Sequence, residues 1–278
     1  MKIDAHAHIM PPDIAAREAR FRERDPYFKL LTDSPSNRYA TAEDVIAHLD
    51  EYGFDKAVVC GWAFRDAGLC RETNDYVIDA VARHPQRLIG LACLQPADPG
   101  LEGEIERCVS AGLSGVGELM PQGQGFRLDD LGDMGPLAGL LRELDLPLLV
   151  HTNEPVGHQY AGKTQTSVKQ AAAFAAANPD LRIVFAHWGG GLFFYELMPE
   201  LRTAFQNVYY DTAASPFLYE AGVYETAVAC GVDHKVLLAT DYPLLPLGRY
   251  LGQLEATSLT QEQLKLIMGQ NAASVFKQ

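Results

Sequence analysis

The sequence predicts an α/β protein of the (β/α)8 TIM-barrel class, with a lid-like insertion after the first strand. Short apolar runs alternate with amphipathic stretches along the whole chain, as strands alternate with helices in such a barrel. Several runs, such as Lys-Ala-Val-Val-Cys at 56–60, are continuously apolar, which is typical of parallel strands covered on both faces. The 278 residues suit one such barrel, for which about 250 residues are typical.

Eight segments are predicted as strands: Lys2–Ile9, Lys56–Trp62, Leu88–Gln95, Gly115–Met120, Pro147–Asn153, Arg182–Trp188, Val208–Thr212 and Lys235–Thr240. Helices are predicted between and after them: Thr41–Gly53, Glu72–His84, Leu101–Ala111, Gly139–Leu144, Ser167–Ala177 and Gln261–Phe276. No Gly-x-Gly-x-x-Gly follows the first strand, which disfavours an open doubly wound sheet. We therefore expect residues 1–278 to form a single domain.

The segment Met10–Tyr39 is too long for an ordinary connection between a strand and a helix. It is rich in charge and carries the aromatic residues Phe21, Tyr27 and Phe28. Because it follows the first strand, it would lie at the mouth formed by the carboxyl ends of the strands, where it could act as a lid. A surface helix that covers the rim or contacts another subunit is an equal alternative.

Charge and cysteine content restrict the partners and the compartment. The formal net charge of -13 disfavours nucleic acid, since phosphate binding requires clustered lysine and arginine. No apolar run approaches membrane-spanning length, so we expect no membrane partner. The five cysteines have irregular spacing and no Cys-x-x-Cys pair, which favours reduced thiols in a cytoplasmic protein.

Imidazole and carboxylate side chains stand at the ends of five predicted strands. They are His6 and His8 on strand one, Glu118 on strand four, His151 on strand five, His187 on strand six and Asp241 on strand eight. Residues i and i+2 of a strand point to the same side, so both histidines of strand one can face the barrel axis. The set matches the ligands of zinc and similar divalent metals, and functional residues of such barrels concentrate at this face. The sequence therefore predicts a metal site there.

Other side chains near these strand ends are candidates for the substrate or for support of the ligands. Trp62 and Trp188 could line an apolar pocket, although packing is an equal interpretation, and His158 could reach the substrate. Asp211 at the end of strand seven could accept a hydrogen bond from the second nitrogen of a ligating histidine. Asp4 and Asn153 could also accept such a hydrogen bond from a ligating histidine.

The motifs resemble those of the amidohydrolase-2 branch of the amidohydrolase superfamily, and the resemblance covers nearly the whole chain. It is carried by four segments: Ile3-Asp-Ala-His-Ala-His8, Phe185-Ala-His-Trp-Gly-Gly-Gly191, Ala239-Thr-Asp-Tyr-Pro243 and Ile267-Met-Gly-Gln-Asn-Ala-Ala273.

The resemblance implies roles for six residues. His6, His8 and Asp241 would bind a divalent metal, zinc by our prediction, with His151 as a further ligand. His187 would orient or activate water in relatives with one metal, and Asp241 would take the proton of that water. In relatives with two metals a carboxylate on strand four bridges them, as Glu118 could do here. The resemblance therefore allows either one metal ion or two.

Hydrolysis of an amide, ester or lactone bond of a small molecule is our first functional prediction, because a metal-activated water supports it. Non-oxidative decarboxylation of an unsaturated or aromatic acid is the alternative, since the family implies such enzymes with nearly the same ligands. A decarboxylase needs a cation for the substrate carboxylate, and Arg65 or an arginine of Met10–Tyr39 could serve. A third hypothesis is that the barrel binds metal or ligand without catalysing a reaction. The family also implies a homo-oligomer by analogy.

Overall fold

The computed structural model describes residues 1–33 and 37–278, and eight parallel strands form its centre. They are β1 (Ile3–His8), β2 (Lys56–Cys60), β3 (Leu88–Gly90), β4 (Val116–Leu119), β5 (Leu148–Val150), β6 (Ile183–Phe185), β7 (Val208–Asp211) and β8 (Val236–Leu237). Each pairs with its sequence neighbour in two groups, β1 to β3 and β4 to β8. Every residue of six of these strands is buried, as expected for strands covered on both faces.

Isolated bridges close the two groups into one barrel. Ala92, beyond the end of β3, pairs with Val116 of β4, and Ala7 of β1 pairs with Tyr242 beyond the end of β8. The second seam is reinforced by hydrogen bonds from the backbone N–H groups of His8 to Tyr242 and of Asp241 to His6. The TIM-barrel prediction is therefore confirmed, and closure brings the first and last metal-ligand candidates side by side.

Helices lie between the strands: α1 (Ile14–Arg24), α2 (Pro26–Thr32), α3 (Ala42–Tyr52), α4 (Ala67–Arg83), α5 (Leu101–Ser110), α6 (Pro121–Gln124), α7 (Leu131–Glu143), α8 (Val168–Ala177), α9 (Pro199–Ala204), α10 (Ser215–Leu218), α11 (Gly222–Ala229), α12 (Leu247–Glu255), α13 (Gln261–Lys265) and α14 (Asn271–Val275). A π-turn at Leu266–Gln270 joins the last two, and 3-10 turns cover His187–Leu197 and Asp233–Lys235. In the described part of the chain, no helix is long and apolar enough to cross a membrane.

Helix ends follow their capping residues. The start of α3 has a capping box at Thr41, whose side chain accepts from the N–H of Asp44, and Gly53 ends the helix in the left-handed conformation. The structure begins α4 at Ala67 rather than at Glu72, because Asp66 caps it through the N–H groups of Gly68 and Leu69. In the same way Asp130 starts α7 well before the predicted Gly139.

The insertion forms α1 and α2 and packs over the carboxyl ends of β2 and β4. Asp25 is buried and accepts hydrogen bonds from the N–H groups of Phe28 and Arg65, at 2.8 Å each. The Phe28 ring lies edge-on to Trp62, with 5.2 Å between the ring centroids, and the Tyr27 ring lies against Gly123 beyond β4. Its position matches the predicted mouth of the barrel, whereas its action as a lid stays a prediction. Residues 34–36 of the segment lie outside the described residues.

Candidate metal centre

Four donor atoms converge where β1, β4 and β8 end. The Nε2 atoms of His6 and His8 lie 3.2 Å apart, and each is 3.6 Å from Oε2 of Glu118. Oδ1 of Asp241 lies 3.2 Å from Nε2 of His8 and 4.0 Å from Nε2 of His6. The barrel thus brings three elements that are far apart in sequence to one point.

A second group of donors meets the other oxygen of Glu118. Its Oε1 lies 3.1 Å from Nδ1 of His151 and 3.5 Å from Nε2 of His187, and these two nitrogens are 3.1 Å apart. Glu118 therefore faces both groups, one with each carboxylate oxygen. The Glu118 side chain thus joins donors from β1 and β8 to donors that follow β5 and β6.

The donor spacing fits a divalent metal. Ligands about 2.1 Å from a tetrahedral zinc ion lie about 3.4 Å from one another. The separations around Oε2 of Glu118 run from 3.2 to 4.0 Å, and those around Oε1 run from 3.1 to 3.5 Å. All donors are nitrogen or oxygen atoms of the kinds that zinc and manganese bind in proteins. The residues therefore fit the predicted metal site.

Three of the histidines are oriented by hydrogen bonds from their other ring nitrogen. Nδ1 of His6 donates to Asp211 at 2.9 Å, Nδ1 of His8 to the Gly61 carbonyl at 2.9 Å, and Nδ1 of His187 to the Ala213 carbonyl at 3.0 Å. Each bond places the proton on Nδ1 and leaves the lone pair of Nε2 directed at the donor cluster. The predicted hydrogen bond between Asp211 and a ligating histidine is present.

Replacing Asp211 by asparagine is expected to weaken metal affinity by about 10–100-fold, because the amide keeps the shape but loses the charge that strengthens His6 as a ligand. Asp211 is completely buried and also accepts from the N–H groups of His187 and Ala213. Competition with a metallochromic chelator measures the affinity, and the exposed Asp180→Asn variant is the control. Equal affinity in both variants would show that Asp211 does not tune the site.

Electrostatics in the cluster favour a cation. Burial opposes ionisation of Glu118 and Asp241, but the facing histidines lower the pKa of both, that of Asp241 to about 2. Burial also opposes protonation of His187, yet the hydrogen bond to Glu118 and its charge raise the pKa of His187 to about 9. Ionised carboxylates thus hold positive charge on the imidazoles, and a metal ion would take the place of these protons on binding.

The three predicted substrate contacts have different surroundings. Trp62 is partly exposed, its ring centroid is 5.9 Å from that of His8, and Nε1 has no hydrogen-bond partner among the described residues. Trp188 is completely buried, donates from Nε1 to Ser215 at 3.0 Å and packs edge-on to Tyr224. Its placement is that of a core residue and does not support substrate contact. His158 is exposed and lines a cavity of about 330 Å³.

Asp4 and Asn153 do not support a histidine ring as predicted. Asp4 accepts from the side chain and backbone of Thr240, at 2.6 and 3.0 Å, and so joins β1 to the segment after β8. Asn153 accepts from the backbone and hydroxyl of Thr164, at 2.8 and 2.7 Å, and so shapes the loop after β5. Both residues position loops that carry candidate ligands.

The cavity beside His158 contains residues that were not predicted as substrate contacts. Its walls come from the loops after β5, β6 and β7, and they include Glu154, Tyr160, Lys163, Gly190 and Tyr219. Glu154 and Gly190 each follow a candidate ligand, His151 and His187, by three residues, and for Glu154 this spacing was the only signal in the sequence. A Cβ on Gly190 would lie 2.3 Å from the Asn153 carbonyl oxygen, so the close approach of the two loops requires glycine.

Most of the arginines considered for a substrate carboxylate are engaged in ion pairs. Arg17 and Arg20 both form ion pairs with Glu72 of α4, and Arg24 forms one with Asp66. Arg22 pairs with Glu18, and Arg65 is exposed beside Gly125. Among the described residues, no lysine or arginine forms an ion pair with Glu118 or Asp241, so the structure identifies no carboxylate-binding arginine at the cluster.

Comparison with known proteins places these features in a family. A family model described as Amidohydrolase matches residues 3–278. A gamma-resorcylate decarboxylase from Polaromonas sp. strain JS666 is 25% identical, and the alignment covers 82% of this chain and 85% of that protein.

Two solved structures show the same fold. The 5-carboxyvanillate decarboxylase from Sphingomonas paucimobilis superposes with a TM-score of 0.80 at 19% identity, over 99% of this chain and 98% of that one. A dihydroxybenzoic acid decarboxylase from Polaromonas sp. JS666, with bound manganese and the inhibitor 2-nitroresorcinol, gives a TM-score of 0.76 at 21% identity, over 99% of this chain and 96% of that one.

The relatives correct the first functional prediction. Five curated relatives that match the chain are named as decarboxylases, four of gamma-resorcylate and one of 2-amino-3-carboxymuconate-6-semialdehyde. The prediction of amide, ester or lactone hydrolysis is therefore wrong. It rested on a metal-activated water, which a decarboxylation does not consume.

Proposed function

Because the chain belongs to the amidohydrolase family, we propose that it is a metal-dependent decarboxylase that releases carbon dioxide, without oxidation, from an aromatic or unsaturated carboxylic acid. The observation that carries the proposal is the buried convergence of His6, His8, Glu118 and Asp241 at the carboxyl ends of the strands, beside a cavity. The decarboxylase names of the curated relatives support the reaction.

Two positions are available for metal ions. We propose that His6, His8, Asp241 and Oε2 of Glu118 hold one ion, and that His151, His187 and Oε1 of Glu118 can hold a second. A bound divalent ion supplies positive charge that attracts and polarises a substrate carboxylate. Zinc, our prediction from the ligand types, and manganese, present in a structure similar to this one, both suit these donors.

Asp241 is the residue we assign to proton transfer. Its side chain is 16% exposed, more than those of His8 at 11%, His151 at 8%, His187 at 7% and Glu118 at 1%. Loss of carbon dioxide leaves an electron pair on the carbon that carried the carboxylate, and that carbon must gain a proton. Since the pKa of Asp241 is lowered to about 2, it would accept a proton from substrate or solvent before it delivers one to this carbon.

Purified protein reconstituted with zinc or with manganese is expected to release carbon dioxide from at least one acid of a panel that includes 2,6-dihydroxybenzoate and 5-carboxyvanillate. Carbon dioxide and the decarboxylated product should form in equal amounts, because the reaction replaces the carboxylate with a proton. Removal of the metal by chelation should abolish the release, and added metal should restore it. Full activity in protein shown by elemental analysis to be metal-free would contradict the proposal.

Three further expectations from the sequence accompany the proposal. We propose that residues 1–278 form one domain, which is supported by the closure of the barrel between β1 and the segment after β8. A cytoplasmic location is supported by the five buried cysteines, all with free thiols. The net charge of -13 supports small molecules rather than nucleic acid as partners.

A further inference from the structure

A buried carboxylate in the cavity beside the metal centre has an oxygen without a partner. Glu154 is only 9% exposed, and its Oε1 is buried with no hydrogen-bond partner among the described residues. The same residues provide no ion pair for Glu154, whereas buried carboxylates in proteins are nearly always paired. Because Glu154 also lines the cavity, a partner for its carboxylate can approach from that side.

Two of the loops that line the cavity begin at metal-ligand candidates. Glu154 follows His151 by three residues, and Gly190 and Gly191, on the facing wall, follow His187 by three and four residues. Tyr160 also lines the cavity, and burial, followed by the charges of Glu154 and Asp241, raises its pKa to about 12. A ligand bound at the ions could thus extend one end of its ring towards Glu154.

The other charged group of the cavity is already engaged. Nζ of Lys163 donates to the carbonyl oxygens of Val156 and His158, and it lies 5.8 Å from the centroid of the Tyr160 ring. Tyr219 also lines the cavity, and burial and the Glu154 charge raise the pKa of its hydroxyl. Glu154 therefore offers the cavity a carboxylate, a group that accepts hydrogen bonds.

We infer that this cavity is a substrate subsite in which Glu154 selects an acid with a hydrogen-bond-donating group, amino or hydroxyl, on the part of the molecule distant from the reacting carboxylate. The class of molecule, a carboxylic acid, rests on the proposed function. The position of its hydrogen-bond-donating group rests on the cavity. A methyl or methoxy group in the same place would leave the carboxylate buried and unpartnered, and a second carboxylate would be repelled.

The test is a binding experiment that needs no turnover. Calorimetric titration of the zinc-loaded protein would compare benzoates carrying an amino, hydroxyl, methyl or carboxylate group at each ring position. At one position the amino and hydroxyl compounds should bind at least about tenfold more tightly than the methyl compound, since hydrogen bonds to charged groups are the stronger kind. Glu154→Ala should remove this preference, and Glu154→Gln, which keeps a carbonyl acceptor, should retain part of it.

The exposed Glu220→Gln variant removes the same charge from the loop after β7 and should keep the full preference. Metal content and melting temperature, measured on every variant, separate loss of the subsite from loss of the fold.

Three results would overturn the inference: equal binding of methyl and donor compounds by wild type, binding of no benzoate, or tightest binding of the dicarboxylate. A Glu154-dependent preference without carbon dioxide release from any acid would keep the subsite and refute the decarboxylase. Decarboxylation with equal kcat/KM for donor and methyl compounds would support the decarboxylase and refute the subsite.

Discussion

Replacing His6 and His8 together by alanine is expected to remove metal from the first position and to lower the rate of decarboxylation by at least about a thousandfold. Two of its four donors are lost, and Asp241 would be left as an ionised carboxylate without the imidazoles that it now faces at 3.2 and 4.0 Å. A buried charge without a partner repels further negative charge, so a substrate carboxylate would also bind poorly. Elemental analysis after gel filtration measures the metal, and carbon dioxide release measures the rate.

The matched control is His234→Ala, because His234 is exposed and lies before β8, away from the strand ends that carry the ligands. It should retain the metal content and rate of wild type. The melting temperature of the double variant shows whether the barrel still folds. If a folded double variant binds as much metal as wild type, the assignment of His6 and His8 as ligands is refuted.

Glu118→Gln is expected to reduce the metal content from two ions per chain to one and to lower the rate at least about a hundredfold. An amide offers one acceptor oxygen and no charge, so it cannot serve both the His6–His8 side and the His151–His187 side. The barrel should survive, because glutamine has nearly the same volume as glutamate. Titration of metal-free protein with zinc, followed by calorimetry, gives the number of ions and the affinity of each.

The exposed Glu106→Gln variant is the matched control and should bind two ions. One ion in both wild type and Glu118→Gln would contradict a bridging role and leave Glu118 as a ligand or a substrate contact at a single site. Two ions in Glu118→Gln would show that the His151–His187 side binds metal without the carboxylate. Either result is distinguishable from misfolding by the melting temperature.

Local chemistry explains how much of the barrel could be predicted. All eight predicted strands are present, because continuous apolar runs such as the one ending at Cys60 have no stable place except a sheet covered on both faces. The predicted strands were too long, and three of the candidate ligands, His151, His187 and Asp241, lie in the backbone just beyond β5, β6 and β8. The helices α11 and α12 were missed, because their boundaries depend on contacts with distant segments rather than on local caps.

The barrel and the six candidate ligands could be predicted from the chain, since period, apolar runs and residue types at strand ends are local properties. Which oxygen of Glu118 faces which histidines required the folded structure, because it depends on the closure of the barrel, which brings the ends of β1 and β8 to face the end of β4. It also decided that Trp188 packs in the core while Glu154 faces the cavity. Neither residue carries a local signal of its surroundings, because burial and hydrogen-bond partners are set by loops that meet across the barrel mouth.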